Sequence, residues 1–303
     1  MRVVVAMSGG VDSSVAASLL VEAGHEVIGL SMQLYDQRGD ADAFGRCCSL
    51  DDLHDARRVA SSLGIPHYIV NFEDEFQETV VRNFVQEYAA GRTPIPCVHC
   101  NSDLKFASLL SRAAGFGACA VATGHYARVD FDETVFRYRL LRSADPEKDQ
   151  TYFLFSLTQD QLARAMFPVG HLTKTEVRQA ARRAGLSVAA KPDSHEICFV
   201  PDGSAADFVE RHAAAVPPAG AIVDTGGRAL GRHRGVHRYT VGQRKGLGLA
   251  TGTPMYVLKL EPGDSRVVVG PREELGRRDL TASGVNWIAG APPASPRTVT
   301  ARI

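Results

Sequence analysis

At 303 residues, with 45% hydrophobic and 22% charged side chains, the chain is long enough for two or three domains and apolar enough for real cores. Lys plus Arg and Asp plus Glu both number 34, so net charge alone argues neither for nor against a nucleic-acid partner. No apolar run approaches the roughly 18 residues of a membrane helix, and Met1 to Met7 lacks the length and cleavage site of a signal peptide, so a cytoplasmic protein without membrane contact is expected.

In chain order, Val3 to Ala6 reads as a buried strand and Ser13 to Glu22 as the helix after it; Val27 to Gln33 is a second strand. Ser49 with Asp52 forms a capping box, opening a helix whose Leu53, Ala56, Ala60 and Leu63 share a face. His67 to Asn71 is a third strand. The spacing of Phe76, Val80, Phe84 and Tyr88 predicts a helix stopped by Gly91. Asn101 to Ala114 is another helix, and Ala118 to Thr123 another strand. This alternation predicts an α/β fold with a mostly parallel sheet covered on both faces. Ala127 to Arg142 then alternates like a hairpin, while Leu162 to Met166 and Lys174 to Ala184 read as helices, the latter capped by Thr173 with Glu176. Pro217 and Pro218 lie in a linker from Ala213 to Gly220. The domains are therefore expected at 1–212 (nucleotide-binding and catalytic), 213–279 (small, β-rich) and 280–303, where a third β segment begins near Leu280.

The sharpest motif, SGGVDSS from Ser8 to Ser14, falls between the first strand and first helix. Gly9 and Gly10 let the backbone approach a ligand with no Cβ in the way. The helix N-terminus then points unpaired N–H groups at a phosphate. Ser8, Ser13 and Ser14 add hydroxyls, and Asp12 either holds magnesium or caps the helix. On composition alone, an ordinary strand-to-helix turn is also consistent with the motif. With no Lys after the glycines it is not a Walker A loop, so cations would have to come from elsewhere in the fold. It resembles the pyrophosphate loop of the ATP pyrophosphatase (PP-loop) families, which implies cleavage of ATP between the α and β phosphates and adenylation of a carbonyl oxygen.

Six cysteines lie at 47, 48, 97, 100, 119 and 198. Cys97-Val98-His99-Cys100 follows Pro94 and Pro96 and precedes the predicted helix, whose N-terminus should favour the Cys100 thiolate. Three readings stand: buried inert thiols, plausible for Cys119, Cys47 and Cys48; a zinc site, of which one CxxC is only half; and sulfur chemistry between Cys100 and Cys198.

Seven blocks follow one another along the chain: AMSGGVDSS, CCSLDD, GRTPIPCVHCN, ATGHYAR, EKDQTYFL, KPDSHEICFVPDG and YTVGQRKGLG. Together they resemble the tRNA-specific 2-thiouridylases, the MnmA family. The resemblance implies an adenine nucleotide alpha hydrolase-like (PP-loop) domain, a β-rich central domain and the start of a C-terminal β-barrel. It further implies thiolation of the wobble uridine of tRNA, with ATP and Mg²⁺ as cofactors. ATP would lie over Ala6, Met7, Ser8, Gly9, Gly10, Val11, Asp12 and Ser13, with Met32 and Gly124 lining the pocket. Cys198 would carry a persulfide and Cys100 would act as its partner, forming a disulfide as sulfur is delivered. His125, Lys148, Asp149 and Gln150 would touch tRNA, and Ile95, Pro96 and Cys97 would face the target base. Other partners implied are a sulfur donor, such as a cysteine desulfurase or relay protein, and the anticodon arm; a monomer is expected.

Two departures from the family pattern matter. Position 95 is Ile where members often carry Asn, and position 97 is Cys where many carry an acid/base Asp. A thiol at 97 could replace that Asp; alternatively, Cys97, Cys100 and Cys198 could hold a [4Fe–4S] cluster. Members usually carry a longer C-terminal barrel, so the chain reads as truncated.

Charge distribution independently favours RNA. From Thr225 through Leu260 there is no Asp or Glu, yet the stretch holds Arg228, Arg232, Arg234, Arg238, Arg244, Lys245 and Lys259. His233 and His237 add to it, with Tyr239 available for stacking. A solvated basic face is the bland alternative. Two other functions compete: an adenylating PP-loop enzyme acting on a small molecule, which leaves the cysteines unused, and a non-catalytic RNA-binding module, which leaves the intact loop unused.

Overall fold

The computed structural model describes residues 1–35, 49–193, 197–200 and 204–301. Cys47, Cys48 and the Ser194–Glu196 part of the KPDSHEICFVPDG block lie outside the described residues. Five strands, β1 (Arg2–Ala6), β2 (Glu26–Gln33), β3 (His67–Asn71), β4 (Ala120–Ala122) and β7 (Ala165–Met166), form one sheet in the order β3-β2-β1-β4-β7. Every pairing in it is parallel. Side chains alternate between two cores: Val4, Leu30, Met32 and Val121 face one, while Val3, Val5, Val27 and Ala122 face the other. Burial on both faces explains why these strands read as continuous apolar runs.

Helices α1 (Val11–Glu22), α2 (Leu50–Ser62) and α8 (Lys174–Arg183) cover one face, contributing Val15, Ala16, Val59 and Val177. Both capping boxes expected from sequence are present, at Ser49/Asp52 and Thr173/Glu176. The opposite face is covered by two helical runs containing π segments. In the first, α3 (Glu73–Phe76) passes through Gln77–Val81 into α4 (Arg82–Ala89). The wider turn brings the consecutive Val80 and Val81 both into the core, which a strict 3.6 period would not.

The second run departs from expectation. It starts with α5 (Pro96–His99), passes through the π segment Cys100–Ser108 and ends in α6 (Leu109–Gly115). Pro96 occupies the first turn, a position that suits a residue lacking an N–H. Cys97 and Cys100 are therefore inside the helical run rather than before it. Cys100 lies one turn in, where the N-terminal dipole acts on its thiol less than the sequence suggested. Leu162 to Met166 is also not one helix: α7 (Gln159–Leu162) ends and β7 adds to the sheet edge, because Ala165 and Met166 gain ladder bonds beside β4.

The hairpin of β5 (Ala127–Asp132) and β6 (Arg137–Arg142) forms as expected. Beyond α9 (Ala205–His212), β8 (Gly220–Val223), β9 (Ala229–His233), β10 (Tyr256–Glu261) and β11 (Arg266–Gly270) form a sheet in the order β10-β11-β8-β9. Ile222, Val236, Val257, Val267 and Val269 fill its own core. Among the described residues no strand follows β11. The segment from Leu280, where a third β unit is expected to begin, docks on the first domain. There Asn286 donates to the carbonyls of Phe155 and Leu157, and Gln159 donates to that of Ile288.

Candidate nucleotide and sulfur site

The chain leaves β1 for β2 and β3 on one side, then crosses to β4 and β7 on the other. The carboxyl ends of β1 and β4 thus flank the topological switch point where open α/β sheets bind ligands. A cavity of about 340 Å³ opens there, within the size range of small-ligand sites. Ala6, Met7, Ser8, Gly10, Val11, Asp12 and Ser13 line it from the end of β1, the loop and the start of α1, Met32 from β2 and Gly124 from just after β4. No side chain caps α1 at Gly10, which leaves the amides of the first turn directed at the cavity.

Of the loop residues named from sequence, Gly9 and Ser14 do not line the cavity; the Ser14 hydroxyl turns back to the Gly10 carbonyl at 2.8 Å. Gly9 is held by its backbone. Its φ of +73° and close packing on α2 explain why glycine is there: a Cβ would lie 2.2 Å from the Asp52 carbonyl oxygen. Gly124 is equally constrained, since a Cβ there would meet the Ser13 nitrogen at 2.5 Å.

The cations missing from the loop motif come from far along the chain. Lys105, Lys148, Lys174 and Lys191 all line the cavity. Lys174 donates to both Asp12 carboxylate oxygens at 2.8 Å and pairs with Asp193 at 2.8 Å. It occupies the first position of α8, where the dipole disfavours a cation, so helix stability does not account for it. Tyr126 donates its hydroxyl to Asp12 at 2.8 Å. Burial, then the Asp12 charge, push its phenol well above the ordinary range and keep it a donor. Asp12 does not cap α1; its carboxylate is held by Lys174 and Tyr126. Among the described residues no three His, Cys, Asp or Glu side chains stand together as a metal site.

A second lysine braces the loop from behind. Lys191 bonds the Gly9 carbonyl at 3.1 Å and Asp52 and Asp55 at 2.6 Å each. Burial opposes its charge, but the two carboxylates raise its pKa overall. Two residues on, Asp193 accepts from Lys148 at 2.8 Å and Arg178 at 2.9 Å. Burial opposes that charge as well, yet Lys148 and Lys174 hold the carboxyl down at about 2.

Cys100 and Cys198 line this same cavity, although 98 positions separate them in sequence. Phe199 fixes the end of the Cys198 turn by edge contacts to Phe76, Phe84 and Phe208, with centroids 5.1–5.4 Å apart. Cys97 is exposed and outside the cavity lining. Cys97, Cys100 and Cys198 therefore do not form the three-thiolate set an iron–sulfur cluster needs. Cys119 is exposed and bonded to the Arg2 carbonyl rather than buried, as the inert-thiol reading had it.

The residues expected at tRNA separate. His125, Lys148 and Gln150 line the cavity. His125 bonds Thr123 at 2.7 Å, and burial together with Lys105 pushes it well below its ordinary pKa, leaving it neutral. Gln150 accepts from the Tyr126 amide at 2.9 Å. Asp149 instead ties the Ser143 amide and Thr151 hydroxyl within its own turn. Ile95 and Pro96 sit at the start of α5, half-buried and buried respectively, outside the cavity lining.

In the basic stretch, His233 and His237 are buried, bonded to the Ser265 carbonyl and Glu210. Tyr239 is half-buried and packs edge-on against His233, so the two histidine rings are structural. Arg238 is neutralised by Asp207 and Glu210, and Arg228 by Asp224. Arg232, Arg234, Arg244 and Lys245 remain exposed and unpaired with any described carboxylate.

Residues 1–202 match the family profile described as "tRNA methyl transferase HUP domain", and residues 206–271 that described as "tRNA methyl transferase PRC-barrel domain". With the sheet and its switch-point cavity, these matches define the class: a HUP-type α/β domain followed by a PRC-barrel domain. The tRNA-specific 2-thiouridylase MnmA of Solibacter usitatus is 56% identical over 97% of this chain and 83% of its own length. That of Geotalea uraniireducens is 56% identical over 96% and 78%, and that of Magnetococcus marinus 51% over 100% and 84%. The chain belongs to the tRNA-specific 2-thiouridylase family. No helix among its described residues is long and apolar enough to cross a membrane.

Proposed function

We propose that this protein is an ATP-dependent tRNA-uridine 2-sulfurtransferase that adenylates the wobble uridine and replaces its O2 with sulfur. The observation that carries the reading is that a phosphate-accepting loop, four lysines and two distant cysteines line one cavity. Methyl transfer, which the profile descriptions name, would leave both the loop and the cysteines without a role.

Uridine O2 attacks the α-phosphate of the Mg²⁺–ATP substrate, the N3 proton departs and pyrophosphate leaves. The α1 amides and Lys174 face that leaving group. A persulfide on Cys198 then attacks C2 and AMP leaves. The Cys100 thiolate attacks the Cys198 sulfur, releasing 2-thiouridine and forming a Cys100–Cys198 disulfide that an external thiol reduces. The persulfide comes from a protein donor such as a cysteine desulfurase or relay protein. Flipping of the base is required because its reacting edge is otherwise stacked. Catalysis belongs to residues 1–212. Residues 213–279 contact the RNA backbone through Arg232, Arg234, Arg244 and Lys245, and a monomer in the cytoplasm suffices for the whole reaction.

The test is release of AMP and pyrophosphate from ATP with and without unmodified tRNA. Stimulation by tRNA supports the reading. AMP formation that needs a small-molecule acceptor instead, indifferent to tRNA, would transfer the protein to another adenylating activity.

A further inference from the structure

Behind the nucleotide loop, a buried serine and a half-buried histidine interrupt an otherwise apolar layer. Gly29 and Ser31 of β2 alternate with Leu30 and Met32, which face the opposite core, so both lie on the α1–α2 side of the sheet. Ser31 is 1% exposed, yet its hydroxyl is bonded twice. It donates to the Met7 carbonyl at 2.7 Å and lies 2.9 Å from Nε2 of His67 in β3. A serine hydroxyl has one proton, and here Met7 takes it. Ser31 therefore accepts from His67, whose ring carries its proton on Nε2. The His67 Nδ1 is buried with no hydrogen-bond partner among the described residues, so a proton placed there would go unsatisfied. Burial, then the Arg57 guanidinium of α2, lower the pKa of the ring and favour its neutral form. Space for this arrangement comes from Gly29, where a Cβ would lie 2.6 Å from Met7 Sδ and 3.1 Å from His67 Cδ2. Apolar side chains could fill the same volume without burying polar atoms, so packing does not account for the pair.

The Met7–Ser8 peptide joins this pair to the cavity. Its carbonyl accepts from Ser31, and its N–H donates to Ser13 Oγ at 3.2 Å. Ser13 lines the cavity, where its hydroxyl donates to the Gly10 carbonyl at 3.2 Å. Every donor in this series points the same way, from His67 through Ser31 and the peptide to Ser13, and each bond in such a chain polarises the next. We propose that His67 and Ser31 are positioning residues for the nucleotide loop, fixing the Met7–Ser8 peptide so that Ser13 accepts from its N–H and keeps its own proton for a nucleotide phosphate. The inference rests on the nucleotide reading of the cavity and places part of the loop's support outside the loop motif. A peptide turned over would aim the Met7 carbonyl at Ser13 and take the hydroxyl proton away from the phosphate.

The experiment measures binding of Mg²⁺ and α,β-methylene-ATP to the full chain by calorimetry. Ser31→Ala and His67→Leu should each weaken it about fivefold or more, the worth of one ordinary hydrogen bond. His67→Gln should bind like the unmodified protein, because its amide N–H can donate to Ser31 from the place of the imidazole Nε2. A second readout does not depend on how Ser31→Ala and His67→Leu fold. In ¹⁵N-histidine-labelled protein, with the His67 signal identified by its loss in His67→Gln, the ring proton should sit on Nε2 at about pH 7.5. That proton should move downfield when the analogue is added, since a phosphate accepting from Ser13 strengthens each bond behind it. Adenosine, which has no phosphate, should leave it in place. A merely structural pair would hold the same tautomer without responding to the phosphates. A ring proton on Nδ1, a bound analogue that leaves the Nε2 proton unmoved, or folded Ser31→Ala with undiminished affinity overturns this inference alone. Analogue that does not bind the unmodified protein overturns the nucleotide reading and this inference with it.

Discussion

Replacing Gly124 by Ala adds one methyl group at a close backbone crossing in the site. The new Cβ would lie 2.5 Å from the Ser13 nitrogen, 2.6 Å from the Asp12 carbonyl carbon and 2.9 Å from the Ser13 Cα. All three are backbone atoms of the first turn of α1, so no side chain can rotate out of the way. Either α1 or the end of β4 must move by several tenths of an ångström. Overpacking of this kind costs about 1–3 kcal/mol in stability, and for a chain of this size each kcal/mol lowers Tm by roughly 2–4 °C. The displaced amide is also one that faces the phosphate, so a loss of one charge-assisted bond, about 1.5–3 kcal/mol, weakens nucleotide binding by roughly 10- to 150-fold. Differential scanning fluorimetry gives the first quantity and calorimetric titration with α,β-methylene-ATP the second. Gly124→Ala that melts and binds nucleotide like the unmodified protein would refute the crossing of β4 over α1 as the base of the site.

Lys174→Met should lower nucleotide affinity at least about tenfold by removing a charged donor, and cost roughly 2 kcal/mol because Asp12 and Asp193 lose a shared partner; calorimetry and urea unfolding check the two. Asp193 has its carboxyl lowered from 3.8 to about 2 in the fold, so its contribution, on the order of 2 kcal/mol, is present above pH 4 and is lost as pH falls from there toward 2. The stability gap between the unmodified protein and Asp193→Asn, measured by urea midpoints from pH 6 to pH 3, should therefore narrow as acid is added; a constant gap would contradict the ion pairing. Neutralising Arg232, Arg234 and Arg244 together should weaken tRNA binding uniformly across tRNAs. It should also reduce the salt dependence of log K by about one unit for each phosphate no longer neutralised, read by filter binding at several salt concentrations.

Local chemistry was legible in the sequence and long-range charge pairing was not. The two capping boxes, the strand-to-helix loop and the β5–β6 hairpin depend on residues a few positions apart, and each formed where read. The start of α5 was misplaced although Pro96 carries the signal, because a proline inside a cysteine motif reads as loop. β7 has no propensity of its own and exists through its pairing with β4. The inward turn of His233 and His237 follows from packing in the second sheet, which the acid-free stretch does not encode. Among site residues, SGGVDSS, Cys100 and Cys198 were found from motifs, but their meeting was not. Lys174 lies 162 positions from Asp12; the only local hint was a cation at a helix N-terminus, against the dipole.

The central claim is that the loop and the two cysteines of this cavity act together on tRNA. The most direct measurement supplies ATP, Mg²⁺, a sulfur source and unmodified tRNA, and reads 2-thiouridine by mass spectrometry for the unmodified protein and for Cys198→Ser. Thiouridine formed by the unmodified protein and absent with Cys198→Ser, while tRNA-stimulated pyrophosphate release persists in both, is the result expected. Undiminished thiolation by Cys198→Ser would contradict the account, because sulfur would then reach the base without the thiol that the cavity holds beside the nucleotide loop.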